Sequence, residues 1–204
     1  MHIKLDEAQL DAFAANGLLI IDNFLKQELV QDVLTEAKYW QEQKTFKQAA
    51  VGNLINLKVQ ENYRNDQIKW INSSDCLPAT KAYLQVLETL RLQMNREFFL
   101  SLKDQECMYA IYPKGSFYKK HSDQFDQLKH RIISIVFYLN ENWTAELGGQ
   151  LIIYKDDNIE RINPIFNRIV IFKSELMHEV LPCHAERFSI TGWLKDQLND
   201  VNFL

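Results

Sequence analysis

His121-Ser122-Asp123 sets an imidazole and a carboxylate two residues apart, and on an extended segment such residues point to the same side. A further imidazole from a distant strand would complete a facial set of two histidines and one carboxylate. That set holds a ferrous ion while leaving several of its positions open. Alone the tripeptide says little, because H-x-D arises by chance and a solitary histidine is more often structural. The chain has five histidines. His2 lies at a terminus, and His130 sits between Lys129 and Arg131, where positive charge disfavours a cation. His178 opens an expected strand, and Arg187 follows nine residues later on the next one. That spacing allows a short hairpin to set the guanidinium deeper in the same cavity. There its fixed fork of donors would match a carboxylate as Lys cannot. An Arg more commonly ends in a surface ion pair, though less so on a strand face shared with Thr191 and Trp193. His184, between Cys183 and Ala185, is the rival ligand, or else a solvated turn residue.

Such side chains need a rigid frame, and from Glu106 onward the hydrophobic period is two. Expected strands are Cys107–Tyr112, Phe117–His121, Arg131–Asn140, Gln150–Tyr154, Arg168–Phe172, His178–Pro182 and Arg187–Leu194. Several short strands separated by turn signals indicate a β-sandwich or barrel. In the third of these, Ile133, Ile135, Phe137 and Leu139 share an apolar face, opposite Ile132, Ser134, Val136 and Tyr138. In the last, Phe188, Ile190 and Leu194 oppose Arg187, Ser189, Thr191 and Trp193. Side chains alternate across a strand, so each has a greasy face suited to packing and a mixed face suited to lining a cavity.

The first half reads differently. Residues 6–15 predict a short helix, Leu18 to Ile21 a strand, and Lys26 to Trp40 a helix with Leu29, Val33, Ala37 and Trp40 on one side. Thr45 to Asn72 predicts a loop or irregular hairpin. Pro78 opens a long helix in which Tyr83, Leu87, Leu90, Met94 and Phe98 share a face. Helices covering one outer face of a sheet make an α+β arrangement.

At 204 residues, 47% of them hydrophobic, the chain suits a single domain, 1–204, with a substantial core. A formal charge of −4 offers no general attraction for a phosphate backbone, so no nucleic-acid partner is expected. Cys76, Cys107 and Cys183 are too scattered for a C-x-x-C motif and odd in number for a complete disulfide framework. No signal-peptide core and no run of transmembrane length stands out. A cytoplasmic protein without a membrane partner is the expectation; oligomeric state is left open.

These features resemble the 2-oxoglutarate/Fe(II)-dependent dioxygenases, and in detail the prolyl 4-hydroxylase family. The likeness is to its oxygen-sensing branch and that branch's bacterial relatives. The matching stretches are Tyr112-Pro-Lys-Gly-Ser-Phe-Tyr-Lys-Lys-His121-Ser-Asp123, Phe137-Tyr-Leu-Asn-Glu-Asn-Trp143, Gly148-Gly149, His178-Glu-Val-Leu-Pro182 and Arg187-Phe-Ser-Ile-Thr-Gly-Trp193. Fainter likeness reaches Tyr63-Arg-Asn-Asp-Gln-Ile-Lys-Trp70. The resemblance implies a double-stranded β-helix (jelly-roll, cupin-like) core at 104–196, with 1–103 supplying supporting helices and a substrate-covering loop. It implies that His121, Asp123 and His178 bind Fe(II), that Arg187 and Tyr138 take the distal carboxylate of 2-oxoglutarate, and that Tyr112 and Thr191 help hold it. Met108, Val136, Leu151, Val180 and Trp193 would form the pocket wall. An ion pair between Asp66 and Arg131 would support the site. The implied reaction couples oxidative decarboxylation of 2-oxoglutarate with O2, giving succinate and CO2, to hydroxylation of a prolyl residue at carbon 4 in a protein. Elongation factor Tu is the candidate substrate if the chain is bacterial, and ascorbate a possible reductant for the iron.

The chain departs from the family in two ways. Asn65 replaces a glycine, and the loops before His121 and before Gly148 are each one residue shorter than in the oxygen-sensing enzymes. Both bear on substrate choice rather than on the ligands. Three other readings fit less well. Nucleic-acid demethylases of the same triad carry a second Arg six residues after the first, where this chain has Trp193. A metal-free β-barrel binding module would not need all four ligands. A zinc or nickel isomerase would leave Arg187 without a purpose.

Overall fold

The computed structural model describes residues 4–49, 62–72, 74–124, 129–155 and 158–198. Asp6 starts the first helix, α1 (Glu7–Asn16), by accepting the Gln9 amide at 2.8 Å while the Gln9 side chain accepts the Asp6 amide at 3.0 Å. This reciprocal cap satisfies two donors that a helix end leaves free. Gly17, at φ +63°, takes the left-handed turn that stops the helix and delivers the chain to β1 (Leu18–Ile21). Two longer helices follow, α2 (Gln27–Glu42) and α3 (Pro78–Phe98). Pro78 lacks an amide hydrogen where none is needed. The next two amides, of Ala79 and Thr80, both donate to the Glu36 carboxylate of α2 at 2.7 Å. One side chain thus caps α3 and ties it to α2.

Between these helices β2 (Lys47–Gln48) and β3 (Gln67–Trp70) pair antiparallel. The stretch expected as a loop or irregular hairpin is therefore a hairpin at its base; residues 50–61 of it lie outside the described residues. The second half supplies β4 (Asp104–Tyr112), β5 (Tyr118–His121), β6 (Arg131–Tyr138), β7 (Leu151–Tyr154), β8 (Ile159–Ile162), β9 (Ile169–Lys173), β10 (His178–Val180) and β11 (Arg187–Lys195). They form a seven-stranded sheet in the order β1-β9-β6-β11-β4-β3-β2 and a four-stranded sheet in the order β5-β10-β7-β8.

Alternation divides the interior into two cores. Ile133, Ile135, Phe137, Phe188, Ile190 and Leu194 turn outward from the seven-stranded sheet onto Val33, Tyr83, Leu87, Leu90 and Met94 of the helices. Tyr83 stacks on Phe137 with ring centroids 5.1 Å apart. The opposite faces meet between the sheets, where Tyr112, Val136, Tyr138, Leu151, Val180 and Phe172 pack together. This is the α+β jelly roll with helices on one sheet. Among the described residues no helix is long and apolar enough to cross a membrane.

Three details differ from the sequence reading. The edge strand β8 was not foreseen, because Glu160 and Arg161 interrupt its two isoleucines and Ile159 is exposed. β10 ends at Val180, before Pro182, which has no amide to offer a ladder. Finally, β10 and β11 form no hairpin: they belong to different sheets, and the intervening turn carries the chain from one to the other.

Candidate active site

β5 and β10 lie side by side, and their register sets His121 opposite His178. Between this pair and the next, Val180 opposite Tyr118, β5 holds one extra residue, a bulge that turns the strand as it leaves the sheet. Asp123 follows in the loop. The ligand atoms of His121, Asp123 and His178 all lie within 4.8 Å of one another. Nε2 of His121 is 3.7 Å from Oδ1 of Asp123, and Nε2 of His178 is 3.6 Å from Oδ2.

The tautomers follow from the neighbours. His121 Nδ1 is 2.7 Å from the Lys119 carbonyl, and His178 Nδ1 is 2.9 Å from the Leu176 carbonyl. A carbonyl can only accept, so both Nδ1 atoms carry hydrogen, and both Nε2 atoms face the shared space. This is the way a protein presents imidazoles to a metal. Burial first, and the neighbouring His178 second, push the His121 imidazole down to about 3, against the opposing pull of Asp123. It stays neutral and able to donate its lone pair. Burial alone would raise the Asp123 carboxyl. The two imidazoles and the Ser134 hydroxyl, 2.6 Å from Oδ2, instead hold it below the usual carboxylate range.

The seven-stranded sheet contributes a ladder of inward residues beneath this cluster. Arg187 pairs with Tyr112, Ser189 lies between Ala110 and Tyr138, Thr191 between Met108 and Val136, and Trp193 between Glu106 and Ser134. Leu151 and Val180 face them from the four-stranded sheet. Arg187 is 1% exposed, and its guanidinium carbon lies 4.7 Å from the Tyr112 ring centroid and 4.9 Å from that of Tyr138. Burial would lower its affinity for the proton, but Tyr138, Cys183 and Tyr112 outweigh that, and it remains charged. Burial pushes Tyr138 and Tyr112 upward, so both stay hydroxyl donors. No carboxylate among the described residues pairs with Arg187. Its Nε, the Tyr138 hydroxyl and the Ser189 hydroxyl are buried without hydrogen-bond partners.

A desolvated cation without an anion costs several kcal/mol, about 3–5 where one partner of a buried pair is missing. The unpartnered Nε of Arg187 and two orphaned hydroxyls, of Tyr138 and Ser189, fit the carboxylate of a bound acid. The donor set above them, two imidazoles and a carboxylate, fits a divalent iron ion. Gly149 leaves room for the Arg187 side chain: a Cβ there would stand 3.0 Å from Arg187 Cδ and 2.8 Å from Cys183 Sγ.

The remaining expectations fall elsewhere. Asp66 and Arg131 form no ion pair. Arg64, two residues earlier, takes both Asp66 oxygens at 2.7 and 2.5 Å. Arg131 lies 3.6 Å over the Trp193 ring, where Glu106 of β4 binds it at 2.7 Å. Each charge has a nearer partner than the other. His184 is exposed, with Nδ1 on the Glu146 carbonyl, and His130 contacts Asp196; neither joins the cluster. His2 lies outside the described residues. Sequence reasoning assigned no role to Ser134, Ser189, Arg64 or Tyr118. The two serines stood on the mixed strand faces suited to lining a cavity, but without a role of their own.

Candidate metal donors on one wall of a jelly roll and a buried guanidinium without a carboxylate on the other fit a metal- and keto-acid-dependent oxygenase. The sequence model of the 2OG-Fe(II) oxygenase superfamily matches residues 107–195. The chain is 30% identical over 190 residues to human prolyl hydroxylase EGLN3, covering 88% of this chain and 79% of that one. A prolyl-4-hydroxylase from Pseudomonas putida superposes with a TM-score of 0.85 at 36% identity, over 93% of this chain and 98% of that one. A prolyl hydroxylase from Trichoplax adhaerens, solved in complex with a hypoxia inducible factor oxygen degradation domain peptide fragment, gives 0.83 at 30% identity, over 92% and 87%. The chain belongs to the 2OG-Fe(II) oxygenase superfamily, in its prolyl hydroxylase family. It is an Fe(II)- and 2-oxoglutarate-dependent dioxygenase of prolyl hydroxylase type.

Proposed function

We propose that this dioxygenase hydroxylates a prolyl residue at carbon 4 in a protein substrate, with elongation factor Tu as the candidate if the chain is bacterial. One observation carries the site assignment: a fully buried, charged Arg187 with no anion of its own among the described residues, beside hydroxyls that lack partners. His121, Asp123 and His178 hold Fe(II). Arg187 clamps the distal carboxylate of 2-oxoglutarate, with Tyr138, Tyr112 and Thr191 beside it. Met108, Val136, Leu151, Val180 and Trp193 form the wall that excludes water. With iron, 2-oxoglutarate and O2 bound, the site supplies the oxidising chemistry, which releases succinate and CO2. The protein's own part is placement: Nδ1 hydrogen bonds fix both imidazoles, Ser134 fixes the carboxylate, and the Arg187 fork sets the co-substrate's reach towards the metal.

A protein substrate is favoured by the likeness to the Trichoplax enzyme, which was solved with a peptide bound. Carbon 4 is favoured by the likeness to the Pseudomonas enzyme. A cytoplasmic setting, with ascorbate keeping iron reduced, accords with the three unpaired cysteines. The test of the site is anaerobic titration with Fe(II) and 2-oxoglutarate. Wild type should develop the visible charge-transfer band of the chelate, and His178→Ala should not; equal bands would refute the ligand assignment. The test of substrate is mass spectrometry of host proteins with and without the gene. Elongation factor Tu should lose a prolyl oxygen in the deletion strain, and an unchanged protein would remove it as the candidate.

A further inference from the structure

We propose that Arg64 and Tyr118 are positioning residues for His121, acting through a stacked column that fixes the plane of its imidazole. The Tyr118 and His121 rings are stacked, with centroids 3.6 Å apart and planes 17° apart. The Arg64 guanidinium lies over the same phenol ring, 4.2 Å from its centre. Two groups that near the ring centre cannot share one face, so Tyr118 is held between guanidinium and imidazole. Asp66 grips Arg64 from behind at 2.7 and 2.5 Å, and both members of this pair are buried.

The column is anchored by backbone as well. Arg64 bridges to Tyr118, the Lys119 amide donates to the Tyr63 carbonyl at 2.9 Å, and the Phe117 amide donates to the Asn65 side chain at 2.8 Å. The stretch leading into β3 is thereby fastened to the strand that carries His121.

His121 needs such a support. Its Nδ1 bond to Lys119 O sets the tautomer but leaves the ring free to rock about that contact. The bulge before it removes the flanking order a regular ladder would impose. A flat ring against the imidazole face removes the rocking. When a metal draws electron density from the imidazole, the π face of Tyr118 also favours the charge that develops. Asp66 takes Arg64 through both of its oxygens and so lessens the cation's opposition to a metal beyond the far face. This gives the Arg64–Asp66 pair a purpose beyond packing, and it rests on the reading of His121 as a metal ligand.

The experiment is binding of Mn(II), a redox-silent probe, to the full chain by electron paramagnetic resonance, with circular dichroism as the check on folding. Tyr118→Phe keeps the flat ring and should bind like wild type. Tyr118→Leu should bind about tenfold more weakly, as expected when a group that orients a ligand is removed. The double variant Arg64→Met with Asp66→Asn, which removes the pair without leaving a buried charge, should move in the same direction. It carries the test if Tyr118→Leu does not fold. A folded Tyr118→Leu protein with wild-type affinity, or Phe and Leu variants weakened equally, would overturn the proposal. His121→Ala distinguishes the premise: if it retains full Mn(II) affinity, His121 is not a ligand and the functional reading fails first.

Discussion

Ser134 of β6 donates its hydroxyl to Asp123 Oδ2 across 2.6 Å, and Ser174 meets the same hydroxyl oxygen at 2.8 Å. A carboxylate on the four-stranded side of the cleft is thus held by the seven-stranded side. Ser134→Ala removes this bond and frees Asp123 to turn. Affinity for Mn(II) should fall about tenfold, measured by competition with a chelator, while co-substrate affinity at saturating metal stays near wild type. Wild-type metal affinity would show that Asp123 is oriented by other means.

Arg187→Lys keeps the charge but loses the fork. A hydrogen bond to a charged group is worth about 1.5–3 kcal/mol, so the KM for 2-oxoglutarate should rise about 10- to 100-fold. Mn(II) binding without co-substrate should not change. A variant that loses metal but keeps its KM would place the guanidinium's role elsewhere.

The His121 imidazole, pushed down to about 3 first by burial and then by His178, gives a signed dependence on pH. The unfolded chain takes up this proton near the ordinary value of about 6.5, the folded chain only near 3. Between those values the unfolded state holds more protons, so stability rises with pH. Metal-free protein should therefore lose stability on acidification from pH 7 towards 4, by at most about 1.4 kcal/mol per pH unit from this group. Urea titrations at several pH values should show a shallower slope for His121→Asn. An identical slope would mean that other groups carry the effect.

Gly149 sits at φ +63° with Cys183 Sγ and Arg187 Cδ where a Cβ would go. Gly149→Ala forces one of them aside in a packed interior, at about 1–3 kcal/mol. It should lower the melting temperature and raise the KM for 2-oxoglutarate together. A lower melting temperature with an unchanged KM would mean that Cys183 alone yields.

Alternation made much of the frame legible. It placed Tyr138, Ser134, Arg187, Ser189 and Thr191 on inward faces because a strand's period is fixed by its backbone, whatever the tertiary setting. Pro78 marked the start of the long helix for an equally local reason. Non-local choices were hidden. Residues 118 and 121 should face opposite ways on a regular strand, and only the bulge in β5 lets Tyr118 lie on His121. The nine-residue interval from His178 to Arg187 suited a hairpin as well as a crossing, since both bring the two ends near one cavity. Asp66 was assigned to Arg131 by family likeness, whereas Arg64, two positions away, could satisfy it without any long-range contact. β8 escaped notice because an edge strand buries too little to need an apolar run.

His121 and His178 belong to one sheet and Arg187 to the other, and, on the proposed roles of these residues, that separation bears on how the molecule comes apart. Whatever occupies the cleft acts as a rivet through two plates, and it can be gripped only while they stay together. By mass action, cargo that binds only this closed form resists their parting. The loaded chain should then withstand proteases that nick the bare one, and supply of keto acid would set the protein's lifetime as well as its turnover.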